Sequence, residues 1–213
     1  MMAEIKICGL RRREDIEAAN RLRPDYIGFV FAKSRRRVTV AEASLLRENL
    51  DPEIGAVGVF VDEKPLVAAH AAIKCRLYAV QLHGSENAQY IKTLRRLLPK
   101  HCEIWKAAAV RGYGDIKAAE NAGADRLLLD AYSPDLKGGT GKQFNWALLG
   151  SSEIAHPFFI AGGISCANID SALKAGKESG QEFGIDISGG VETDGFKDFG
   201  KMAEVIGAVR RFA

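Results

Sequence analysis

Residues able to transfer protons stand at the ends of several short apolar runs in this sequence. Cys8 ends one run, Gln81 and His83 stand at the end of another, and Asp130 follows a third. Thiol, imidazole and carboxyl groups are the usual general acids and bases. Each also has a structural interpretation, because cysteine is often a small buried apolar residue and an aspartate after a strand often caps a helix. The residues alone leave this choice open.

Two pairs of glycines follow apolar runs near the end of the chain. Gly162 and Gly163 follow one run, and Gly189 and Gly190 follow the next, directly after Ser188. Paired glycines make tight turns, but they also let backbone N–H groups approach an anion closely. Two pairs at adjacent strand ends favour a phosphate site over simple turns.

A third glycine-rich stretch, Gly138–Lys142, is similar to a P-loop but does not match it. The P-loop pattern requires glycine at position 136, where Leu136 stands, and serine or threonine at position 143, where Gln143 stands. We interpret it as a flexible loop after the sixth strand. Loops of this kind can close over a substrate, and the sequence leaves open whether this one acts as a lid.

Short apolar runs alternate with segments of helical periodicity along the whole chain. Runs rich in Ile, Val, Leu and Phe are typical of parallel strands that are covered on both faces. We predict strands at Ile5–Cys8, Tyr26–Phe31, Ala56–Val61, Tyr78–Leu82, Glu103–Ala107, Arg126–Leu129, Phe158–Ala161 and Gly184–Ile187. Helical segments include Arg12–Leu22, Ala41–Asn49, Glu86–Leu98, Tyr113–Asn121, Ala167–Ala175 and Lys197–Arg210.

Eight βα repeats predict an α/β fold, a single (β/α)8 TIM barrel spanning residues 1–213 as one catalytic domain. An open doubly wound sheet is the alternative, but no strand-GxGxxG-helix unit occurs near the start of the chain. In a TIM barrel the active site lies at the carboxyl ends of the strands. We therefore expect the polar and glycine residues described above to meet at one end.

Composition excludes several classes of protein. The net charge of +3 over 213 residues is too small to indicate nucleic-acid binding, and no apolar run is long enough for a bilayer span. No signal peptide is visible, and the four cysteines show no paired metal-ligand spacing. We expect a reduced, cytoplasmic, soluble protein without a metal site.

Taken together in chain order, the strand-end motifs resemble the phosphoribosylanthranilate isomerase family of tryptophan biosynthesis. Any one motif is weak, but their joint order from residue 6 to about residue 198 is specific. The matching stretches are Lys6–Gly9, Gly28–Phe31 with Ser34 and Arg36, Gly58–Val61, Val80–Gly84, Leu128–Asp130, Gly138–Lys142 with Phe144 and Trp146, Ala161–Ile164 with Asn168, and Asp186–Glu192.

The resemblance implies an Amadori rearrangement of N-(5′-phosphoribosyl)anthranilate to a 1-deoxyribulose 5-phosphate. By matching motifs, it implies that Cys8 is the general base, that Asp130 is the general acid and that Arg36 binds the anthranilate carboxylate. Substrate contacts are also expected from Gln81 and His83, and the phosphate would lie against Gly162, Gly163, Ser188, Gly189 and Gly190. The reaction requires neither a metal nor a redox cofactor. The expected partner is a phosphorylated small molecule, bound by a monomer or a homodimer.

One local departure concerns the arginines. The family often has an extra residue between the Gly-Phe-Val-Phe strand and the Ser-x-Arg motif, where this chain has only Ala32 and Lys33. The Ser-x-Arg match selects Arg36 as the residue that binds the carboxylate. Its neighbours Arg35 and Arg37 remain alternatives for this role.

Three other functions are compatible with a phosphate-binding barrel. The histidine-pathway sugar isomerase resembles this fold but places aspartate at the position of Cys8 and carries a second phosphate site. A Schiff-base aldolase would need an inward lysine, for which Lys6 and Lys106 are candidates. A non-catalytic binder of phosphoribosyl ligands would be expected to lack Cys8 or Asp130.

Overall fold

The computed structural model describes residues 3–131, 145–151 and 154–212 and contains a closed barrel of parallel strands. The strands follow one another around the barrel in chain order, and the last pairs with the first. They are β1 (Glu4–Cys8), β2 (Tyr26–Val30), β3 (Gly55–Phe60), β4 (Ala79–Leu82), β5 (Glu103–Val110), β6 (Arg126–Ala131), β7 (Phe158–Ile160) and β8 (Phe183–Ile187). The predicted fold class is confirmed.

Helices lie between the strands on the outside of the barrel. They are α1 (Arg13–Leu22), α2 (Val40–Glu48), α3 (Pro65–Lys74), α4 (Ala88–Arg95), α5 (Tyr113–Glu120), α6 (Ala147–Ser151), α7 (Ile169–Glu178) and α8 (Phe199–Arg211). Local sequence signals set their ends: Thr39 caps α2 by accepting a hydrogen bond from the backbone of Glu42, whose carboxylate accepts one from the backbone of Thr39. Among the described helices, none has both the length and the apolar character that a bilayer span requires.

The structure also contains elements that the sequence pattern does not indicate. The sequence of helix α3 is apolar at nearly every position, so its pattern does not distinguish the buried face from the exposed one. A short hairpin, β9 (Glu192–Thr193) with β10 (Phe196–Lys197), follows β8. The prediction that the last helix begins at Lys197 is therefore wrong: Lys197 belongs to the hairpin, and Asp198 caps α8 through the backbone N–H of Lys201.

Alternation along each strand divides the core into two parts. On β1, Ile5 and Ile7 pack outward against the helices, so Lys6 and Cys8 face the barrel interior. A separate apolar cluster that includes Trp105 and Phe159 fills the interior, with these two rings stacked at 4.8 Å. The inward-facing side chains of each strand therefore line the barrel interior up to the carboxyl ends of the strands.

A charged cluster closes the opposite end of the barrel. Arg126 bonds to the carboxylates of Glu4 and Glu103, with its Nε 3.1 Å from Glu103 Oε2. Tyr26 donates to Glu4 Oε1 at 3.0 Å, and the indole of Trp105 donates to Glu103 Oε2 at 2.7 Å. These residues begin β1, β2, β5 and β6 or lie just inside them, so the cluster ties four strands at their amino ends.

We predict that Arg126→Leu destabilises the barrel without changing the chemistry at its other end. The substitution leaves two half-buried carboxylates without their cation, which lowers the free energy of unfolding by about 1–3 kcal/mol. Urea unfolding measures this change. The matched control is Arg13→Leu, which removes an exposed arginine paired with Glu17 and changes stability by less than about 0.5 kcal/mol. Equal stability losses in the two variants would contradict the stabilising role of Arg126.

Candidate active site

A cleft of about 650 Å³ opens at the carboxyl ends of the strands. Every site residue predicted from the sequence lines it, namely Cys8, Arg36, Gln81, His83, Asp130, Gly162, Gly163, Ser188, Gly189 and Gly190. Arg35 also lines the cleft, whereas Arg37 is exposed and is not among its lining residues. The predicted glycine-rich loop, Gly138–Lys142, lies outside the described residues.

Cys8 lies at the inner end of the cleft, above a buried ion pair. Lys6, two residues earlier on the same face of β1, is fully buried and places its Nζ 2.8 Å from Asp186 Oδ1 on β8. Gly28 on the neighbouring strand makes room for the thiol, since a Cβ there would lie 2.6 Å from the Cys8 Sγ. The barrel thus holds the thiol in one place between β2 and β8.

Burial controls the protonation of this thiol more than its charged neighbours do. Burial raises the pKa of Cys8, Lys6 and Lys197 oppose that rise, and Asp186 adds to it. The net direction of the pKa shift is upward, so the thiol of the free enzyme is protonated at neutral pH. A cysteine acts as a base only as thiolate, and the dry barrel interior makes this ionisation harder.

Lys6 itself remains a cation. Burial opposes its charge, but the carboxylate of Asp186 raises its pKa above the ordinary lysine value. A fixed positive charge thus lies beside the position where a thiolate would form.

Asp130 lies across the cleft at the end of a chain of polar contacts through His83 and Gln81. His83 Nε2 is 3.3 Å from Asp130 Oδ2, and Gln81 Nε2 is 3.0 Å from His83 Nδ1. With the amide donating to Nδ1, the imidazole carries its proton on Nε2, the nitrogen that faces Asp130. Gln81 Oε1 is buried and has no hydrogen-bond partner among the described residues. The chain orients Asp130 and leaves one amide oxygen available to a ligand.

A buried lysine fixes the loop that follows His83. Lys106 donates to the carbonyl of Gly84 at 2.7 Å and to Glu86 Oε2 at 3.1 Å. Glu86 in turn accepts hydrogen bonds from the backbone of Gly84 and Asp62. These contacts hold the backbone next to His83 and so restrict the position of its ring.

The loop after β7 forms one wall of the predicted phosphate site. Gly162 and Gly163 adopt φ angles of 84° and 65°, a region that glycine enters without strain. Asn168, the N-cap of α7, accepts from the backbone N–H of Ser165 at 2.9 Å and donates to the carbonyl of Gly163 at 2.8 Å. Loop and helix start are thus joined beside the cleft.

The loop after β8 forms the other wall. Gly190 packs so closely on the first loop that a Cβ would lie 1.9 Å from the carbonyl oxygen of Ile164. Ser188 donates to the carbonyl oxygen of Cys8 at 3.0 Å, which joins this wall to the end of β1. The arrangement matches the phosphate sites formed by the last two βα loops of TIM barrels.

Arg36 reaches the mouth of the cleft from the loop after β2. Its Cδ passes 2.5 Å from the position that a Cβ on Gly9 would occupy, and Gly9 has a φ of 85°. Glu192 receives Nε and Nη2 of Arg36 at 2.6 Å and 2.9 Å. Arg36 is more deeply buried than its neighbour: its side chain is 14% exposed, against 64% for Arg35.

The two lysines considered for Schiff-base chemistry do not line the cleft. Lys6 is bound to Asp186 beneath Cys8, and Lys106 points away from the interior to Glu86. Within the described residues no group of three or more potential metal ligands occurs. The geometry supplies acid–base groups and anion contacts.

The sequence analysis gave no role in the isomerase site to four charged residues in or beside the cleft: Lys6, Asp186, Glu192 and Lys197. All four lie in or beside the motifs at the ends of β1 and β8. A lysine and an aspartate inside apolar strands are the signal that would have found the first pair, because such charges are buried only when they are paired. Glu192 and Lys197 depend on the hairpin, which the sequence pattern does not indicate.

The family model described as N-(5′-phosphoribosyl)anthranilate (PRA) isomerase matches residues 5–208. N-(5′-phosphoribosyl)anthranilate isomerase from Clostridium acetobutylicum is 42% identical over 213 residues, which are 99% of this chain and 100% of the relative. The homologue from Thermoanaerobacter pseudethanolicus is 41% identical over 209 residues, 98% of each chain.

Solved structures agree with these relatives. The crystal structure of phosphoribosyl anthranilate isomerase from Thermotoga maritima has a TM-score of 0.87 at 30% identity, covering 99% of this chain and 100% of that one. A further structure, in complex with reduced 1-(o-carboxyphenylamino)-1-deoxyribulose 5-phosphate, has a TM-score of 0.84 at 29% identity with the same coverage. The chain belongs to the N-(5′-phosphoribosyl)anthranilate isomerase family.

Proposed function

We propose that this enzyme converts N-(5′-phosphoribosyl)anthranilate into 1-(2-carboxyphenylamino)-1-deoxyribulose 5-phosphate, with Asp130 as general acid and Cys8 as general base. The observation that carries the proposal is the single cleft that places Cys8, Asp130 and Arg36 beside the two glycine loops. Family membership supports the same reaction.

Binding orients the substrate by its two anionic ends. The backbone of Gly162, Gly163, Ser188, Gly189 and Gly190 binds the 5′-phosphate, and Arg36 binds the anthranilate carboxylate. Gly loops and a guanidinium suit these two anions, because N–H groups converge on a phosphate and an arginine fork matches a carboxylate. The sugar then lies between Cys8 and Asp130.

Asp130 and Cys8 each carry out one proton transfer with the substrate. Asp130 donates a proton to the ribose ring oxygen, the ring bond to C1′ breaks, and a Schiff base forms with the anthranilate nitrogen. The ionised form of Cys8 then removes the C2′ proton, giving an enolamine. The enolamine loses its O2′ proton and gains a proton at C1′, which gives the ketone. Proton exchange with solvent returns Cys8 to the thiolate and Asp130 to the acid. No atom is gained or lost overall, and positioning provides the remainder of the rate.

The amide and imidazole beside Asp130 complete the assignment. Gln81 Oε1, which is buried without a partner among the described residues, accepts a hydrogen bond from a sugar hydroxyl. His83 contacts Asp130 directly and holds it toward the ring oxygen.

Turnover of the proposed substrate tests the function. The condensation product of ribose 5-phosphate with anthranilate is prepared in situ, and loss of its fluorescence is followed with folded wild-type enzyme. Rapid, enzyme-dependent loss with formation of the ketose product is expected. Tight binding without product would instead support a non-catalytic phosphoribosyl binder, and neither binding nor product would contradict both functions.

We predict that Cys8→Ala and Asp130→Asn each lower kcat by about 10²–10⁴-fold, because each removes one proton-transfer group. Binding of the reduced product analogue, measured by calorimetry, should change little because the phosphate and carboxylate contacts remain. Cys75→Ala and Asp51→Asn are matched controls, since both residues lie away from the cleft. A folded Cys8 or Asp130 variant with near-normal kcat would remove that residue from its role.

The raised pKa of Cys8 predicts where activity is lost on acidification. If thiolate is the base, kcat/KM falls as the pH drops below the thiol pKa, which burial raises above the ordinary value of about 8.5. We expect the midpoint of the acidic limb to lie in this alkaline range. Cys8→Asp places a group with an ordinary pKa of about 3.9 there and should move the midpoint to lower pH. An identical acidic limb in both enzymes would exclude Cys8 as the titrating base.

Location and assembly are two finer parts of the proposal. Cys8, Cys75, Cys102 and Cys166 are free thiols, which agrees with a reducing cytoplasmic location. The expected assembly is a monomer or a homodimer. Both states are known for one structural relative, the dimeric enzyme of Thermotoga maritima, from which monomers have been generated.

A further inference from the structure

We infer that Glu192 is a positioning residue that sets the specificity for a substrate carboxylate by holding the guanidinium of Arg36 in its receptive orientation. This inference deepens the proposed function and rests on it. Glu192 follows the second glycine pair, on the first strand of the β9–β10 hairpin.

Glu192 is the centre of a compact charge cluster. Its Oε1 accepts from Arg36 Nε at 2.6 Å and from Lys197 Nζ at 2.8 Å, and its Oε2 accepts from Arg36 Nη2 at 2.9 Å and from Arg35 Nη2 at 2.7 Å. The Glu192 side chain is only 5% exposed, and that of Lys197 only 2%. Both carboxylate oxygens are fully used inside the protein, so Glu192 is available to orient other groups rather than to bind a ligand itself.

The bonds to Glu192 determine which edge of Arg36 remains for a ligand. A guanidinium has five N–H donors in a planar fork. Glu192 occupies the edge formed by Nε and Nη2 and does not use the Nη1 side. The remaining edge, formed by Nη1 and the outer N–H of Nη2, can bind a carboxylate in two parallel hydrogen bonds.

The cluster keeps a positive charge after Glu192 is counted. Arg35, Arg36 and Lys197 surround one carboxylate. Burial lowers the pKa of Lys197, but the two guanidiniums alone exceed the single negative charge of Glu192. Burial opposes the charge on Glu192, but Arg36 and Lys197 lower its pKa to about 2, so it stays ionised throughout the assay range. The mouth of the cleft therefore attracts an anion while the orientation of Arg36 stays fixed.

The same cluster is tied to the predicted phosphate loop. Lys197 donates to the carbonyl of Ser188 at 2.9 Å, and the backbone N–H of Glu192 donates to the carbonyl of Gly189 at 3.1 Å. The carboxylate receptor and the phosphate wall are thus held at one spacing. A substrate whose two anions have that spacing is selected over one that lacks the carboxylate.

The test compares two substrates made by the same condensation with ribose 5-phosphate, one from anthranilate and one from aniline, which lacks the carboxylate. Wild type is measured first with the anthranilate compound, so failure of the proposed function is seen separately. In Glu192→Gln we expect KM for the anthranilate compound to rise about tenfold, with a smaller change in kcat. The reason is that the Arg36 guanidinium is no longer held in the orientation that binds the substrate carboxylate. The kcat/KM for the aniline compound should change by less than about threefold, so the preference for the carboxylate shrinks.

A double-mutant cycle separates positioning from a general structural effect. If Glu192 acts through Arg36, Glu192→Gln should change the preference for the carboxylate by less than about twofold in an Arg36→Ala background. Glu17→Gln is the matched surface control, because it removes an exposed glutamate that bonds to Arg13 at 2.9 Å. An unchanged preference in Glu192→Gln, or an equal loss in the Arg36→Ala background, would overturn the inference.

Discussion

The pairing of β1 with β8 is the contact on which the rest of the structure depends. It joins residues 180 positions apart, with Lys6 opposite Asp186, and it closes the barrel. Three features of the cleft follow from it: the ion pair beneath Cys8, the bond from Ser188 to the carbonyl of Cys8, and the approach of Arg36 to Glu192. An open sheet with the same strands would separate all of them.

Closure also creates the main electrostatic conflict of the site. The barrel interior that fixes Cys8 disfavours a charged thiolate, and burial outweighs the nearby cations Lys6 and Lys197. The protein therefore holds the proposed base in the right place in its protonated form. Orientation and protonation are opposed here because both depend on removing water from the thiol.

Much of the fold was predictable because its signals are local. Short apolar runs with intervening helical segments indicate a parallel barrel, and polar or glycine residues at their ends indicate where a site lies. The predicted strands agree with the structure to within a few residues. The predicted site residues all line one cleft, since they occupy the carboxyl ends of strands that the barrel brings together.

What sequence reasoning missed depends on contacts between distant parts of the chain. The Lys6–Asp186 pair spans nearly the whole chain, and the cluster around Glu192 requires the hairpin to return Lys197 beside it. Helix α3 received no range in the sequence analysis for a different reason, because an apolar segment with many alanines has no periodic contrast. Local patterns located the site, and long-range pairing decides its electrostatics.

The most direct test of the proposed mechanism is a crystal structure of this enzyme with the reduced product analogue bound. We expect the phosphate against Gly163 and Gly189 and the carboxylate on the remaining edge of Arg36. Cys8 Sγ and an Asp130 oxygen should lie on opposite sides of the sugar, each within about 3–3.5 Å of its reacting atom. A phosphate bound elsewhere, or a sugar out of reach of Cys8, would contradict the mechanism.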